Sequence, residues 1–273
     1  MHRRSHVWQV ALLGLVIGCR EASRSENRSR EATPATSEAT AAIELPDLTV
    51  VPSTESPLAN TAARAKQTFA SLIQAAESGD AATWTKLEGE LHELGLAAVP
   101  ALAERLSDTN NVARELAAMF LAQLGPDASP AAEGLLKLLG DESTFARVNA
   151  AAALSTFEGH AERVAPVLTA LLADDDVNVR ITAATSLRNV GPAGREAVSA
   201  LSRSLRDADS RVRAAAATTL GEFGKLASSC LVTLRKLDDD EDEQVRTAAA
   251  RAIKRIDETA RTTSVTIPAS ATE

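Results

Sequence analysis

The sequence predicts an all-α protein, an α-solenoid in which helix pairs repeat every 33 residues. Hydrophobic residues make up 45% of the 273 residues, whereas aromatic residues make up 3% and tyrosine is absent. That composition suits helices that pack closely through Ala and Leu, and it disfavours a β-sandwich, whose strands are rich in aromatic and β-branched residues. An internal repeat of fixed period is the second observation, because such a period is typical of stacked helical units.

Five columns of identical or similar residues define the repeat, and each column advances in steps of 33 without an insertion. The aspartate column is Asp108, Asp141, Asp174, Asp207 and Asp240. The arginine column is Arg114, Arg147, Arg180, Arg213 and Arg246. A leucine column runs Leu102, Leu135, Leu168, Leu201 and Leu234, and an alanine pair begins at Ala117, Ala150, Ala183, Ala216 and Ala249. Five units in register predict five stacked helix pairs.

Each unit predicts two amphipathic helices, here called helix A and helix B. In the third unit they are expected at residues 163–173 and 176–190, and Val179, Ala183 and Leu187 form an apolar stripe on helix B. Good N-cap residues stand two positions after each column aspartate: Asn110, Ser143, Asp176, Asp209 and Asp242. Gly125, Gly191 and Gly224 are expected to end helix B.

The unit LTALLADDDVNVRITAATSLRNVG resembles the short HEAT-like repeat first associated with phycobilisome lyases, over roughly residues 96–257. Ankyrin repeats lack support because the Thr-Pro-Leu-His opening is missing, and TPR units lack support because there is no Tyr. The resemblance implies a right-handed α-solenoid with B helices on its concave face. It also implies that the aspartate and arginine columns form a structural ladder between neighbouring repeats. Residues 61–78 and 81–94 predict a degenerate sixth pair that caps the array.

The N-terminus predicts export and lipid anchoring. A basic start is followed by an apolar run at residues 7–17, which is too short for a helix to cross a bilayer but fits a secretory signal peptide. The run ends at Gly18-Cys19, which resembles the bacterial lipobox. That resemblance implies cleavage after residue 18 and acylation of Cys19, for example with palmitate. An ordinary signal peptide or an uncleaved signal anchor with an incidental cysteine stays open.

Two segments predict disorder. Residues 19–59 are rich in Ser, Thr, Ala and Glu and are expected to form a disordered tether between the lipid and a HEAT-repeat domain at residues 60–257. Residues 258–273 are expected to form a disordered tail.

No catalytic, metal-binding or cofactor-binding motif is recognised, so no enzyme activity, metal or cofactor is expected. The acidic run at Asp174 does not fit a calcium loop, since Val179 and Thr185 stand where Gly and Glu are required. Cys230 falls in a column of small residues, which indicates a core position rather than a nucleophile. The net charge of −8 disfavours nucleic acid as a partner.

Two exposed columns of helix B are expected to line the concave face: Met119, Ala152, Thr185, Thr218 and Arg251, and Gln123, Thr156, Asn189, Glu222 and Arg255. The expected function is a membrane-anchored extracytoplasmic scaffold that binds a protein or peptide on this face. Two alternatives remain open: a bilin-lyase-like or other cofactor-handling enzyme, and a purely structural envelope lipoprotein.

Overall fold

A computed structural model describes residues 57–264, and every regular element in this range is a helix. The described residues fall into two compact units, one ending at Ala97 and the other beginning at Ala98. The predicted signal peptide, Cys19 and most of the predicted tether lie outside the described residues. Within residues 57–264, no helix combines the length and the apolar character that crossing a bilayer requires.

The first unit is a helix pair, α1 (Pro57–Ser78) and α2 (Ala81–Leu94). Proline is favoured at the first position of a helix, because the N–H that it lacks has no intrahelical partner there. Residues 57–59 are therefore helical, and the prediction of a disordered tether as far as residue 59 is wrong at these three positions. The side chain of Asp80 caps α2 by accepting the Thr83 N–H at 3.1 Å.

The second unit contains five helix pairs, each made of a helix A and a helix B. The A helices are α3 (Val99–Arg105), α5 (Ala132–Leu138), α7 (Ala161–Leu171), α9 (Val198–Ser204) and α11 (Leu231–Arg235). The B helices are α4 (Asn111–Leu124), α6 (Thr144–Ser155), α8 (Val177–Leu187), α10 (Ser210–Phe223) and α12 (Glu243–Ser264). Short 3₁₀ segments occur at Gly95–Ala98, Gly125–Ala131, Arg188–Ala197, Gly224–Cys230 and Lys236–Asp239. The predicted all-α solenoid class is thereby confirmed.

The helix starts follow the predicted N-caps. Asn110 accepts the Val112 N–H at 2.9 Å, and Asp176 accepts the Asn178 N–H at 2.7 Å. Asp209 and Asp242 repeat this contact, whereas Ser143 accepts the Ala146 N–H, three positions later, at 3.4 Å. Each cap satisfies one of the backbone donors that the first turn of a helix leaves without a partner.

The ends of the B helices are less uniform than predicted. Gly125 and Gly224 terminate α4 and α10 with positive φ values of 65° and 53°, which glycine adopts without a Cβ clash. In the third repeat α8 ends earlier, at Leu187, and Gly191 lies inside the following 3₁₀ segment. The prediction of a helix B up to residue 190 is therefore wrong by three residues. Tightening of the last turn to 3₁₀ geometry is common at helix C-termini.

The predicted tail boundary is also wrong, because α12 continues past residue 258 to Ser264. Ile256 is fully buried at the base of this extension. The Thr259 hydroxyl donates to the Arg255 carbonyl at 2.9 Å, and its side chain lies close against Gly224 of the preceding repeat. This extension is polar in composition but helical, and its threonine hydroxyls donate to backbone carbonyls of the preceding turn.

The core of the second unit consists of the repeat columns. All five residues of the leucine column are at most 1% exposed. The alanine pairs of the first four repeats are 0% exposed, which lets adjacent helices approach closely. In the fifth repeat Ala249 is buried, whereas Ala250 is exposed. The last repeat thus presents a face that the earlier repeats bury.

Candidate docking surface

Three arginines of the column bind aspartates of the following repeat. Arg180 donates from Nε to Asp207 Oδ2 at 2.8 Å and from Nη2 to Oδ1 at 2.9 Å. Arg114 binds Asp141 with distances of 2.8 and 3.0 Å, and the pair formed by Arg213 with Asp240 has distances of 2.9 and 2.8 Å. Each clamp spans 27 residues and joins two repeats with the parallel geometry that suits a guanidinium and a carboxylate.

The third nitrogen of each guanidinium is held inside its own repeat. Arg180 Nη1 donates to the carbonyls of Asp174 and Asp175 at 2.9 and 3.0 Å. The same two contacts, to the residues six and five positions earlier, are made by the other four members of the column: Arg114, Arg147, Arg213 and Arg246. These carbonyl contacts therefore orient the guanidinium of every column arginine, whether or not that arginine also binds a carboxylate.

The aspartates are likewise held in place by the backbone. In all five repeats Oδ1 of the column aspartate accepts the N–H of the residue two positions later, as Asp240 does from Asp242 at 3.0 Å. The hydrogen bonds from Arg213 lower the pKa of Asp240 below its ordinary value. For Asp141, burial acts to raise the pKa, but the hydrogen bonds from Arg114 and the Ser143 N–H outweigh it, so the pKa is lowered.

One clamp is missing. Arg147 and Asp174, both within the described part of the chain, make no hydrogen bond or ion pair with each other. Arg147 Nη2 instead donates to the Thr144 hydroxyl at 2.9 Å. The second and third repeats are joined by a weaker neutral contact, from Asn189 Nδ2 to Ser155 Oγ at 3.1 Å. Within the described repeats, the junction between the second and the third therefore lacks the arginine–aspartate clamp that the other three junctions have.

Sequence reasoning missed a buried carboxylate at the first junction. Glu115 of α4 is 5% exposed and accepts a hydrogen bond from the Ser143 hydroxyl of the next repeat. Asn149 Nδ2 donates to the Glu115 carbonyl at 3.3 Å. The sequence does carry a signal for this carboxylate, because the equivalent positions of the next two repeats are the apolar Val148 and Ile181.

The predicted face of the B helices is only partly exposed. Met119 is 2% exposed, so its assignment to the exposed column is wrong. Nine consecutive residues of α4 are buried, from Ala113 to Leu121, and Met119 lies within this stretch. Ala152, Gln123 and Thr156 are half-buried. The remaining members of the two columns are exposed: Thr185, Thr218, Arg251, Asn189, Glu222 and Arg255.

These exposed residues lead to a groove of about 680 Å³ between α10 and α12, the B helices of the last two repeats. Small residues form much of the surface, including Ala214, Gly221, Ala248 and Ala252. A Cβ placed on Gly221 would lie 2.8 Å from the Ala252 Cα, so the two helices touch at this point. Glycine is otherwise unfavourable inside a helix, and its lack of a Cβ permits this close approach.

Charged side chains of both signs line the groove. Arg255 Nη2 lies 2.6 Å from Glu222 Oε2 and links the two helices. Lys254 and Glu258 form a looser, exposed pair at 3.9 Å. Arg251 lines the groove without an ion pair to any described residue. The surface thus offers one unpaired cation beside polar side chains of Thr218, Gln244 and Thr247.

The remaining candidates fill packing positions. Cys230 is a free thiol that is 2% exposed. Trp84 is buried in the first unit and donates from Nε1 to Glu88 Oε2 at 3.0 Å, while burial raises the pKa of Glu88. Across residues 57–264, the His, Cys, Asp and Glu side chains form no group of three or more suited to a metal ion.

The helix pairs and their ladder define a repeat protein of the α-solenoid class. A family model of HEAT repeats matches residues 99–188 and 165–254, which together span more than half of the chain. The chain therefore belongs to the HEAT-repeat family. A comparison with curated proteins gave no significant match.

Three solved structures are similar to this chain, and the first of them shares its fold. An engineered protein is similar at 23% identity with a TM-score of 0.51, and the alignment covers 71% of this chain and 97% of that one. The complex of CpcE and CpcF of phycocyanin lyase from Nostoc sp. PCC7120 is similar at 24% identity, with a TM-score of 0.49 and coverage of 59% and 65%. Computationally designed armadillo repeat proteins for modular peptide recognition are similar at 19% identity, with a TM-score of 0.49 and coverage of 70% and 98%.

Proposed function

We propose that this protein is a membrane-anchored extracytoplasmic scaffold that binds a protein or peptide on the B-helix face of its HEAT repeats. The groove between α10 and α12 is the observation that carries the proposal. Repeat proteins of this kind commonly bind partners along an extended surface formed by successive units. The fold alone does not define a function, whereas the chemistry of the groove limits which ligands it can bind.

The groove suits a polypeptide. Its small residues leave room for a ligand backbone to approach α10 and α12 closely. Thr218, Gln244 and Thr247 supply hydrogen-bonding groups, which a peptide backbone needs when it leaves water. Arg251 supplies a cation that can pair with an acidic side chain of the ligand.

The anchoring part of the proposal rests on the N-terminal sequence. The apolar run before Gly18-Cys19 fits a signal peptide, and acylation of Cys19 with two or more chains would hold the protein stably at a membrane. Intact-mass spectrometry of the protein extracted from membranes tests this step. A mature chain that begins at Cys19 with added acyl mass is expected, whereas a mature chain without acyl groups would refute the anchor.

The aspartate and arginine columns have a different proposed role, which is architecture. Six of the ten side chains form three clamps between consecutive repeats, and all five arginines also donate to backbone carbonyls. They are not part of the groove lining. This separation allows the scaffold and its binding surface to be disturbed independently.

Affinity capture from detergent-solubilised membranes tests the proposed function. The wild-type chain is compared with Arg251→Glu, in the groove, and with Arg203→Glu, an equally drastic charge reversal at an exposed position of α9. A stoichiometric partner that is retained by Arg203→Glu and lost by Arg251→Glu supports the proposal. A partner that both variants retain equally places binding elsewhere and refutes the groove.

A further inference from the structure

We infer that Arg246 is a preformed carboxylate-binding site in the last described repeat, and that it takes an aspartate from the start of a helix in a partner protein. Arg246 is the last member of the arginine column and lies in the first turn of α12. It does not line the groove between α10 and α12. The inference therefore goes beyond the proposed function and does not depend on it.

The geometry of Arg246 matches that of the occupied clamps. Its Nη1 donates to the carbonyls of Asp240 and Glu241 at 2.6 and 3.1 Å. In the preceding repeat, Arg213 Nη1 makes the same two contacts, while its Nε and Nη2 hold Asp240. The Nε and Nη2 of Arg246 make no hydrogen bond within residues 57–264. The edge that holds a carboxylate in three other repeats therefore has no partner within the described part of the chain, and Glu273, 27 residues after Arg246, lies outside that part.

Preorganisation makes this free edge different from an ordinary surface arginine. A flexible arginine loses rotamer freedom when it binds a ligand, and that loss opposes binding. The two carbonyl contacts have already restricted the Arg246 guanidinium. A carboxylate that arrives can therefore form two parallel hydrogen bonds without first ordering the side chain.

The surroundings of Arg246 form an uncovered repeat face. Ala217 and Leu220 of α10 are 0% exposed, whereas the equivalent Ala250 is exposed and Ile253 is half-buried. Apolar atoms beside the free guanidinium edge thus remain accessible to a partner.

The clamped aspartates of the chain indicate the form of the ligand. Each of them also accepts, at Oδ1, the N–H of the residue two positions later, where a B helix is capped. This turn fixes the carboxylate so that both oxygens face the arginine. The fitting partner therefore presents an aspartate two residues before the N-cap of one of its own helices.

Nuclear magnetic resonance of arginine Nε–H groups tests the site on the full chain. The probe is a capped peptide with the sequence LRDADSRV, residues 205–212, whose Asp207 occupies the clamp of Arg180 in the folded protein. A control peptide has Asn in place of Asp207. The resonance of Arg246 is assigned by its loss in Arg246→Lys, and Arg261→Lys, at an exposed position of the same helix outside the groove, is the matched control.

A saturable shift of the Arg246 resonance is expected, with a midpoint on the order of 1 mM for so short a peptide. The control peptide should bind about threefold more weakly or worse, whereas Arg261→Lys should leave the affinity for the LRDADSRV peptide unchanged. Three outcomes would overturn the inference: no shift at ~10 mM peptide, an equal response to both peptides, or a shift of the Arg246 resonance when residues 265–273 are removed. The last outcome would mean that the chain itself fills the site.

Discussion

Arg180 and Asp207 lie 27 residues apart in the sequence and form a two-point ion pair that joins the third repeat to the fourth. The side chains are 16% and 12% exposed, so solvent screens the pair only partly. One repeat earlier, Arg147 and Asp174 have the same residue types at the same spacing and do not pair. Comparison of these two residue pairs therefore separates the effect of the ion pair on stability from the effect of the residue types alone.

Substitution of a clamped aspartate should therefore destabilise the protein, whereas substitution of its unclamped equivalent should not. Asp207→Asn removes the charge that Arg180 binds and should lower the free energy of unfolding by about 2 kcal/mol. Asp174→Asn keeps an oxygen for the Asp176 N–H and should change it by less than about 0.5 kcal/mol. Urea unfolding at neutral pH measures both, and equal losses would mean that the clamps do not stabilise the array.

The lowered aspartate pKa values predict an acid-sensitive stability. The pKa values of Asp141, Asp207 and Asp240 are lowered in the folded chain, so their contribution is complete above the ordinary value of 3.8. It is lost as the pH falls through the lower folded values, because the unfolded chain then binds more protons. The melting temperature should fall steeply below about pH 4. Asp207→Asn should show a shallower fall than the wild type, and an unchanged slope would argue against this source.

The sequence predicts local structure well because the responsible contacts are local. Asp176 caps α8 through an N–H only two residues away, so its position in the column is enough to predict the helix start. A clamp spans 27 residues and depends on how neighbouring repeats are rotated. The repeat columns therefore could not predict that Arg147 does not bind Asp174. The connection between these two repeats also differs from the others, since no 3₁₀ segment separates α6 from α7.

The groove could not be predicted from the sequence either, because the residues on both of its helices belong to columns that run through all the repeats. Thr218 and Arg251 are equivalent positions, and the columns alone give no reason to prefer their junction over that of Ala152 and Thr185. The burial of Met119 was missed for the same reason. A column describes which residues share a position, whereas exposure depends on what packs around each helix.

Two helical glycines should respond oppositely to alanine. Gly89→Ala in α2 meets no atom within 4 Å and should stabilise the protein by about 0.5–1 kcal/mol, because alanine restricts the unfolded chain. Gly221→Ala in α10 places a Cβ 2.8 Å from the Ala252 Cα and should cost about 1–3 kcal/mol as α12 is pushed away. Thermal unfolding measures both. A neutral Gly221→Ala would mean that the two helices separate easily and that the groove is not rigid.

The junction at Glu115 allows the cap and the contact between repeats to be separated. The Ser143 hydroxyl accepts the Ala146 N–H and donates to Glu115, so Ser143→Ala removes a cap and also takes one donor from a buried carboxylate. Loss of a cap alone costs about 1 kcal/mol, which is the expectation for Asn110→Ala in the preceding repeat. Ser143→Ala should cost about 2 kcal/mol, because a buried charge with fewer hydrogen bonds adds its own penalty.

Glu115→Gln provides the second arm of this test. In a double-mutant cycle with Ser143→Ala, the two substitutions should be non-additive, because they act on one shared hydrogen bond. Measurement of all three variants by urea unfolding gives the coupling free energy directly. Additive losses would show that the serine acts only as a cap, and that Glu115 is held by the contacts of its own helix, such as the one from Asn111 Nδ2 at 3.4 Å.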